Sequence, residues 1–380
     1  MRRVYVRLCA LVLMAVAVGC GGETSNNDDG AEDQGGMPFE IMEDLGSGEE
    51  DMGDPEEMGR QDMSGALDMS APLDMPADMG PVDMPPVVED MAPEEDMGPP
   101  DLGPLDDLGY PPASDIPLGG DRPVEVILPE GFDNSREVPL VIALHGYGGN
   151  KDSVGRYFSL KRNVDAYDFI LLNPQGMRDG LNSRFWNATP ACCDGFSSGV
   201  DDAAYLRGVI EEALGRFRID RGRIYVAGYS NGGFMAYRLA CDSADYITGI
   251  FVLAGGTYKD ETLCQPSQPV QVLHLHGTAD QTIKYDGGSA YPGAPNHPGA
   301  LESIETWGTY NGCDPGAVML DASEVDAVTV ETASVTGFNN CPQDGQVELW
   351  TLPDAPHNPG LPQTIGEYIL DRFFAIDRTP

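Results

Sequence analysis

Basic residues are scarce in this chain of 380 residues, which has 22 Lys and Arg against 62 Asp and Glu and a formal net charge of −40. Proteins that bind nucleic acid or anionic lipid surfaces need clustered positive charge to neutralise phosphate groups. The composition therefore argues against both kinds of partner. Histidine is rare as well, with five residues, and none of them has further ligands at a metal-binding spacing, so we expect neither a metal nor another cofactor.

A long hydrophobic run is also missing from the start of the chain. Leu8–Val18 is apolar but too short to span a bilayer, and it follows the basic segment Met1–Arg7, an order typical of an export signal. The segment Ala17–Cys20 resembles the lipobox of bacterial lipoproteins, whose cysteine is lipidated and begins the mature chain. We expect residues 1–20 to be a lipoprotein signal peptide ending at lipidated Cys20. The alternative is an ordinary signal peptide cut near Gly19.

Residues 21–120 contain 28 acidic residues and one basic residue, Arg60, and aspartate followed by methionine recurs along them. Such a segment has too few aromatic and branched side chains to offset the entropy lost on ordering, and its charges repel one another. We therefore expect a disordered acidic tether. A cation-binding repeat is the alternative, but the segment lacks the regular Gly and bidentate Glu positions of calcium loops.

Residues 121–380 are enough for one domain with an ample core. Strand-like runs alternate with helical patterns, and several runs are apolar on both faces, which is typical of a mostly parallel sheet covered by helices. The fold class predicted is doubly wound α/β. The predicted strands are Val124–Leu128, Leu140–Leu144, Phe169–Asn173, Arg223–Ala227, Ile250–Ala254, Val270–Leu275 and Val347–Leu352, and the predicted helices are about 152–161, 201–217, 232–241, 299–310 and 364–375.

The central motif is Gly228–Gly233, which lies between the apolar run Arg223–Ala227 and a helical pattern. A strand, a sharp turn carrying a serine between small residues, and then a helix form the layout of a nucleophile elbow. Glycines are needed there because a Cβ at the flanking positions would collide with the strand or helix. The helix start also points its positive end at the site. Ser230 is the predicted nucleophile.

The partners of Ser230 are predicted from strand ends, since ligands of such sheets bind beyond the carboxyl ends of the strands. Asp280 follows the strand Val270–Leu275, and His357 follows the last strand. Serine, acid and histidine then occur in the chain order of α/β-hydrolases. An imidazole can take the serine proton and return it to a leaving group, while a carboxylate fixes its tautomer. Ser230, Asp280 and His357 are the predicted catalytic residues.

Two backbone N–H groups, those of Tyr147 and Asn231, are predicted to form the oxyanion hole, one from a Gly-rich loop and one from the helix start. Three other histidines follow or lie within strands. We expect His145 to be a structural residue of its loop, and we expect structural roles for His274 and His276, because a two-histidine metal site would need further ligands.

Alternative assignments exist for the base and for the acid. His297 lies in a Gly/Pro-rich loop that we expect at the surface, and it is the main alternative to His357 as the base. Asp286 and Asp314 are weaker alternatives to Asp280, because neither directly ends a strand.

These motifs resemble the secreted polyhydroxybutyrate depolymerase and feruloyl esterase family of α/β-hydrolases, over roughly residues 122–375. The resemblance implies the α/β-hydrolase fold, a serine esterase and a substrate-binding role for Trp186. The chain departs from the family at Asn358, where a tryptophan is common. The segments that carry the resemblance are Leu144–Gly146, Ala191–Gly195 with Trp186, Gly199–Asp202, Gly228–Gly233 and His274–Asp280.

Six cysteines remain in residues 121–380, where export would let disulfides persist. Six cysteines allow 15 complete connectivities, so the sequence alone leaves the pairing open. We favour a bond between Cys313 and Cys341, both expected in loops late in the chain.

The leading functional hypothesis is an extracellular serine carboxylester hydrolase that forms an acyl-enzyme. Its substrate would be a feruloyl or acetyl ester of plant polysaccharide or a short-chain hydroxyalkanoate polyester. The alternatives are a peptidase of the same fold and a catalytically inactive surface-binding lipoprotein. We expect a monomer, secreted or held by a lipid anchor at the bacterial cell surface or outer membrane, with no other membrane contact.

Overall fold

The computed structural model describes residues 117–321, 333–376 and 378. The predicted signal peptide, the lipidation of Cys20 and nearly all of the acidic tether lie outside these ranges and stay predictions. The ordered domain begins before residue 121, because Leu118 is buried in the core and the backbone N–H of Gly119 donates to Glu212 at 2.7 Å. Among the described residues, no helix combines the length and the apolarity needed to cross a bilayer.

A nine-stranded sheet forms the centre of the described domain, and two short hairpins lie beside it. In chain order the strands are β1 (Glu125–Ile127), β2 (Val138–Leu144), β3 (Ile170–Asn173), β4 (Met177–Arg178), β5 (Arg184–Phe185), β6 (Ile219–Tyr229), β7 (Gly249–Leu253), β8 (Gln271–Gly277), β9 (Gly288–Ser289), β10 (Asn296–His297), β11 (Val318–Leu320), β12 (Ser334–Gly337) and β13 (Val347–Leu352).

The spatial order of the large sheet is β1-β3-β2-β6-β7-β8-β13-β12-β11. The strands from β3 to β13 in this order run parallel, and antiparallel strands complete both edges: β1 beside β3, and β12 and β11 beside β13. The hairpins β4–β5 and β9–β10 are separate two-stranded sheets.

Helices cover both faces of the sheet, and the predicted α/β class is confirmed. Side chains along β2 alternate between two cores, with Leu140 and Ile142 in one and Val141 and Ala143 in the other. Helices α3, α4 and α5 contribute to the first core, and α1 and α6 to the second. The helices are α1 (Lys151–Tyr157), α2 (Val164–Tyr167), α3 (Asp202–Arg216), α4 (Asn231–Asp242), α5 (Ala300–Tyr310) and α6 (Ile365–Phe374).

The order of the strands also fixes where a site can form. The chain runs from β2 to β3 on one side of β2, and later returns to place β6 on the other side. The connections after β2 and β6 therefore diverge, which opens a crevice at the carboxyl ends of these two strands.

Three disulfide bonds join the six cysteines of the described domain. Cys313 is bonded to Cys341, which connects the segment after α5 to the segment before β13. The other two bonds join the neighbours Cys192 and Cys193, and Cys241 at the end of α4 to Cys264.

Candidate active site

Ser230 occupies the tight turn between β6 and α4. Its backbone has φ 54° and ψ −119°, a left-handed region that residues with a Cβ rarely adopt. A Cβ at Gly228 would lie 2.1 Å from the carbonyl oxygen of Gly232, and one at Gly232 would lie 2.1 Å from that of Leu144. Both glycines are therefore required by close backbone approach, and the turn presents the Ser230 hydroxyl at the edge of the sheet.

The structure brings the three predicted catalytic side chains into one line of hydrogen bonds. His357 Nε2 lies 3.0 Å from Ser230 Oγ, and His357 Nδ1 lies 2.7 Å from Asp280 Oδ2. The three residues follow β6, β8 and β13 at the same edge of the sheet. The alternatives are not part of this line among the described residues: Asp314 instead accepts from Asn340, and Asp286 contacts neither ring nitrogen of His357.

Asp280 is buried, with 2% of its surface exposed. Burial alone would raise the pKa of this carboxyl, but hydrogen bonds from His276 and His357 outweigh burial and hold the pKa well below its usual range. Asp280 is thus ionised at neutral pH. An ionised carboxylate only accepts hydrogen bonds, so Nδ1 of His357 carries a proton and donates it to Asp280 in a hydrogen bond. This leaves Nε2 of His357 free to accept the proton of Ser230.

The two predicted oxyanion donors belong to segments that adjoin the nucleophile, and Asn231 follows Ser230 directly. Gly146 is so close that a Cβ there would be 3.3 Å from Ser230 Cβ, and Tyr147 follows it directly. The N–H of Gly148, the next residue along, donates to a carbonyl oxygen, whereas the hydrogen bonds of the described domain include none from the N–H groups of Tyr147 or Asn231. Both groups can therefore donate to an added oxygen.

The side chain of Asn231 holds the start of α4 in place, a role that sequence reasoning missed. Its Oδ1 accepts from the backbone N–H of Trp186 at 2.7 Å, and its Nδ2 donates to the Trp186 carbonyl at 2.9 Å. This two-way contact fixes the residue whose backbone N–H is the second predicted oxyanion donor. An asparagine directly after the elbow serine is the sequence signal that could have suggested it.

The substrate-binding role predicted for Trp186 is wrong. Its side chain is fully buried, its indole N–H donates to the His145 carbonyl at 3.0 Å, and its ring lies 5.0 Å from the His145 ring. A buried indole needs such an acceptor, and the contact leaves no face of the ring for a substrate. Trp186 instead anchors the two loops that flank the nucleophile.

His145 and His297 are buried and lie outside the catalytic line. His145 accepts from the N–H of Gly176 at 3.0 Å, and burial lowers its pKa to about 4. The surface position expected for His297 is wrong, because the β9–β10 hairpin carries it inward, where 1% of its surface is exposed and Nδ1 contacts the Pro298 carbonyl at 2.8 Å. No cluster of three or more metal-ligating side chains occurs in the described ranges.

Comparison with known proteins identifies related sequences. A family model described as Phospholipase/Carboxylesterase matches residues 132–292, which include Ser230 and Asp280. The putative esterase NocK of Nocardia uniformis subsp. tsuyamanensis is 33% identical over 165 residues, which cover 43% of this chain and 45% of that protein. Feruloyl esterase B of Piromyces equi is 30% identical over 200 residues, which cover 50% of this chain and 36% of that protein. The chain therefore matches less than half the length of these two relatives.

A further relative is the probable feruloyl esterase C of Aspergillus terreus, 28% identical over 207 residues, which cover 49% of this chain and 69% of that protein. Among solved structures, the acetyl xylan esterase from Aspergillus awamori aligns with 68% of this chain and 97% of its own, at 14% identity and a TM-score of 0.48. The family model and the strand order together identify the α/β-hydrolase fold, as predicted from the sequence.

Proposed function

We propose that this chain is a serine carboxylic ester hydrolase. The observation that carries the proposal is the line of hydrogen bonds from Ser230 Oγ through His357 to Asp280 at the carboxyl edge of the sheet. The family model and the relatives named as esterases support the same activity.

The geometry suits catalysis through an acyl-enzyme. Ser230 Oγ attacks the ester carbonyl carbon while His357 Nε2 takes its proton, and Asp280 stabilises the imidazolium that forms. The negative oxygen of the tetrahedral intermediate accepts from the N–H groups of Tyr147 and Asn231. His357 then returns the proton to the departing alcohol. Water repeats the sequence on the acyl-serine, which releases the acid and restores the hydroxyl.

Exposed apolar side chains beside the oxyanion loop suit an apolar or aromatic part of the ester. Tyr147, Leu181 and Phe196 are 45%, 72% and 52% exposed. The Tyr147 hydroxyl donates to Asp179, and a side chain at Gly180 would collide with the ring of Phe196, so all three surround the tip of the β4–β5 hairpin. Because Tyr147 belongs to the oxyanion loop, this patch provides a contact surface for the substrate.

The proposed substrate is an ester in an extracellular polymer. A feruloyl or acetyl group on plant polysaccharide is the first choice, because two of the relatives are named as feruloyl esterases. A short-chain hydroxyalkanoate polyester is the second. A lipid at Cys20 would hold such an enzyme at the bacterial cell surface, and without the lipid the enzyme would be secreted.

A hydrolysis panel of p-nitrophenyl acetate, methyl ferulate and polyhydroxybutyrate tests this proposal. We expect hydrolysis of the two small esters and covalent labelling of Ser230 by a fluorophosphonate, with labelling and activity lost together in Ser230→Ala. A folded protein that neither hydrolyses the panel nor takes the label would contradict the proposal and favour a non-catalytic binding module.

A further inference from the structure

A line of buried titratable side chains lies behind the proposed catalytic residues and takes no part in the mechanism above. His274 and His276 on β8 are 0% and 1% exposed. His274 Nδ1 lies 2.9 Å from the Tyr237 hydroxyl, and its Nε2 lies 3.1 Å from Nδ1 of His276. His276 Nε2 lies 2.8 Å from the carbonyl oxygen of Ile283 and 3.3 Å from Oδ2 of Asp280. These contacts connect Tyr237 on α4, through the two histidines on β8, to the carboxylate of Asp280.

One arrangement of protons satisfies all of these contacts. A carbonyl oxygen only accepts, so His276 Nε2 carries a proton and donates to Ile283. A neutral His276 then accepts at Nδ1 from Nε2–H of His274, which in turn accepts at Nδ1 from the Tyr237 hydroxyl. A second proton on either ring would place a proton on Nδ1 of His274, and the Tyr237 hydroxyl proton would then lose its acceptor. Burial also lowers the pKa of His274 well below its ordinary value. Both rings are therefore neutral Nε2–H tautomers.

The carboxylate at the end of this line has donors on both oxygens. Asp280 Oδ1 accepts from the backbone N–H groups of Thr282 and Ile283, both at 2.8 Å. Oδ2 accepts from His357 and lies within reach of the same His276 N–H that bonds the Ile283 carbonyl. His276 thus contacts both ends of the 280–283 turn, and it supplies the second donor on the oxygen that faces His357.

We propose that His276 is a positioning residue whose Nε2–H holds Oδ2 of Asp280 in line with His357, and that Tyr237 and His274 keep His276 in the tautomer this requires. The proposal rests on the proposed esterase function only for its activity readout. It predicts that the donor on His276, rather than the bulk of its ring, is what catalysis needs.

The proton arrangement can be measured without activity. Nitrogen-15 NMR of histidine-labelled native protein at neutral pH should show the rings of His274 and His276 as neutral Nε2–H tautomers, assigned with Tyr237→Phe, which removes one donor and should perturb His274 first. A charged ring or an Nδ1–H tautomer at either residue under these conditions overturns the proposal.

Two substitutions at His276 separate the donor from the ring. His276→Gln keeps an amide N–H near the Nε2 position and should stay within about threefold of wild-type kcat. His276→Leu keeps bulk but no donor and should lose about 10- to 100-fold in kcat at little change in KM, the loss expected for one hydrogen bond to a charged group. The matched control is His297→Gln, which changes a buried histidine outside the line and should keep wild-type kcat.

The pH profile is the readout that a merely structural role would not move. Removing a donor from Asp280 leaves a more basic carboxylate that holds the proton on His357 more tightly, so the acid limb of kcat/KM should move to higher pH in His276→Leu and return in His276→Gln. In the described ranges, the other titratable side chains that face His276, Asp280 or His357 are Tyr229, Tyr285 and His297, and all three are kept in both variants.

The outcomes distinguish the two proposals. A folded His276→Leu protein with near-wild-type kcat, or with an unmoved acid limb, overturns the positioning role while leaving the esterase intact. An inactive native protein overturns the esterase proposal, and the NMR result still decides the proton arrangement. Should His276→Leu not fold, Tyr237→Phe replaces it: loss of the Nε2–H tautomer at His276 together with a lower kcat supports the proposal, and its retention at full kcat overturns it.

Discussion

Individual residues in this molecule are held by contacts that leave them little freedom. Ser230 has a positive φ that only the surrounding glycines permit, and Asp280 accepts on both oxygens. Side chains fixed in this way lose little entropy when a substrate binds, so the site is prepared before the reaction begins.

His357→Ala should remove activity nearly as completely as Ser230→Ala, because members of one catalytic unit fail together. We expect a fall of about 10⁴- to 10⁶-fold in kcat on p-nitrophenyl acetate for either variant. His297→Ala removes a buried ring that does not contact Ser230, so kcat should stay within about threefold. A larger loss in His297→Ala than in His357→Ala would mean that the base is His297.

The buried, neutral His145 should make folding stability depend on pH. Its pKa is about 4 in the folded domain against an ordinary 6.5, so the unfolded chain takes up a proton that the folded chain does not. Stability is therefore lost as pH falls through this window, by about 2 kcal/mol between pH 7 and pH 5. Urea unfolding at several pH values measures the slope. His145→Gln cannot titrate and should show a shallower slope, whatever its absolute stability, and an equal slope would contradict the prediction.

Among the secondary-structure elements, the sequence predicted mainly the strands that are buried. All seven predicted strands are present in the large sheet, and most of them are continuous apolar runs because they are covered on both faces. The antiparallel strands β11 and β12 and the two-residue strands β4, β5, β9 and β10 were missed, since such short runs carry little periodicity. Missing β9–β10 also explains the error at His297, which a loop would have left at the surface.

The positions of the catalytic candidates could be predicted for a related reason. Each follows an apolar strand, and parallel strands gather their carboxyl ends at one edge. Contacts made through burial could not be predicted in the same way. Nothing in the sequence around Trp186 distinguishes a buried side chain that holds two loops together from an exposed one that contacts a substrate. The contact of His276 with Asp280 depends on the conformation of the turn after β8, which the sequence does not specify.

The Cys313–Cys341 bond should stabilise the domain without affecting catalysis. It closes a loop of 28 residues near the amino end of β13, at the opposite edge of the sheet from Ser230. Its loss should cost about 3–4 kcal/mol in the loop-entropy account. Denaturant unfolding of Cys313→Ser/Cys341→Ser measures this change, with kcat at 25 °C expected to be unchanged. The control is Cys192→Ser/Cys193→Ser, which opens no loop and should cost less by the same account, so an equal or larger loss there would refute the loop argument.

For the whole molecule, the acidic tether should determine where the enzyme works and not how fast. Residues 117–380 expressed alone should match the full chain in kcat/KM on p-nitrophenyl acetate, because the site is built entirely within them. Cys20→Ala should release the full chain from the membrane fraction at unchanged activity. A large loss of small-ester activity on removing residues 21–116 would show that the acidic segment acts on the domain.

The parallel pairing of β13 with β8 has a consequence for how the molecule acquires its activity. Asp280 and His357 are separated by 77 residues along the chain, and Ser230 and His357 by 127. Contacts of such long range form late, since the entropy of closing large loops must be overcome first. Helices and local turns can form while the base is still far from the nucleophile. During refolding, the far-ultraviolet circular dichroism signal should therefore recover before ester hydrolysis does, and no partly folded intermediate should turn over substrate.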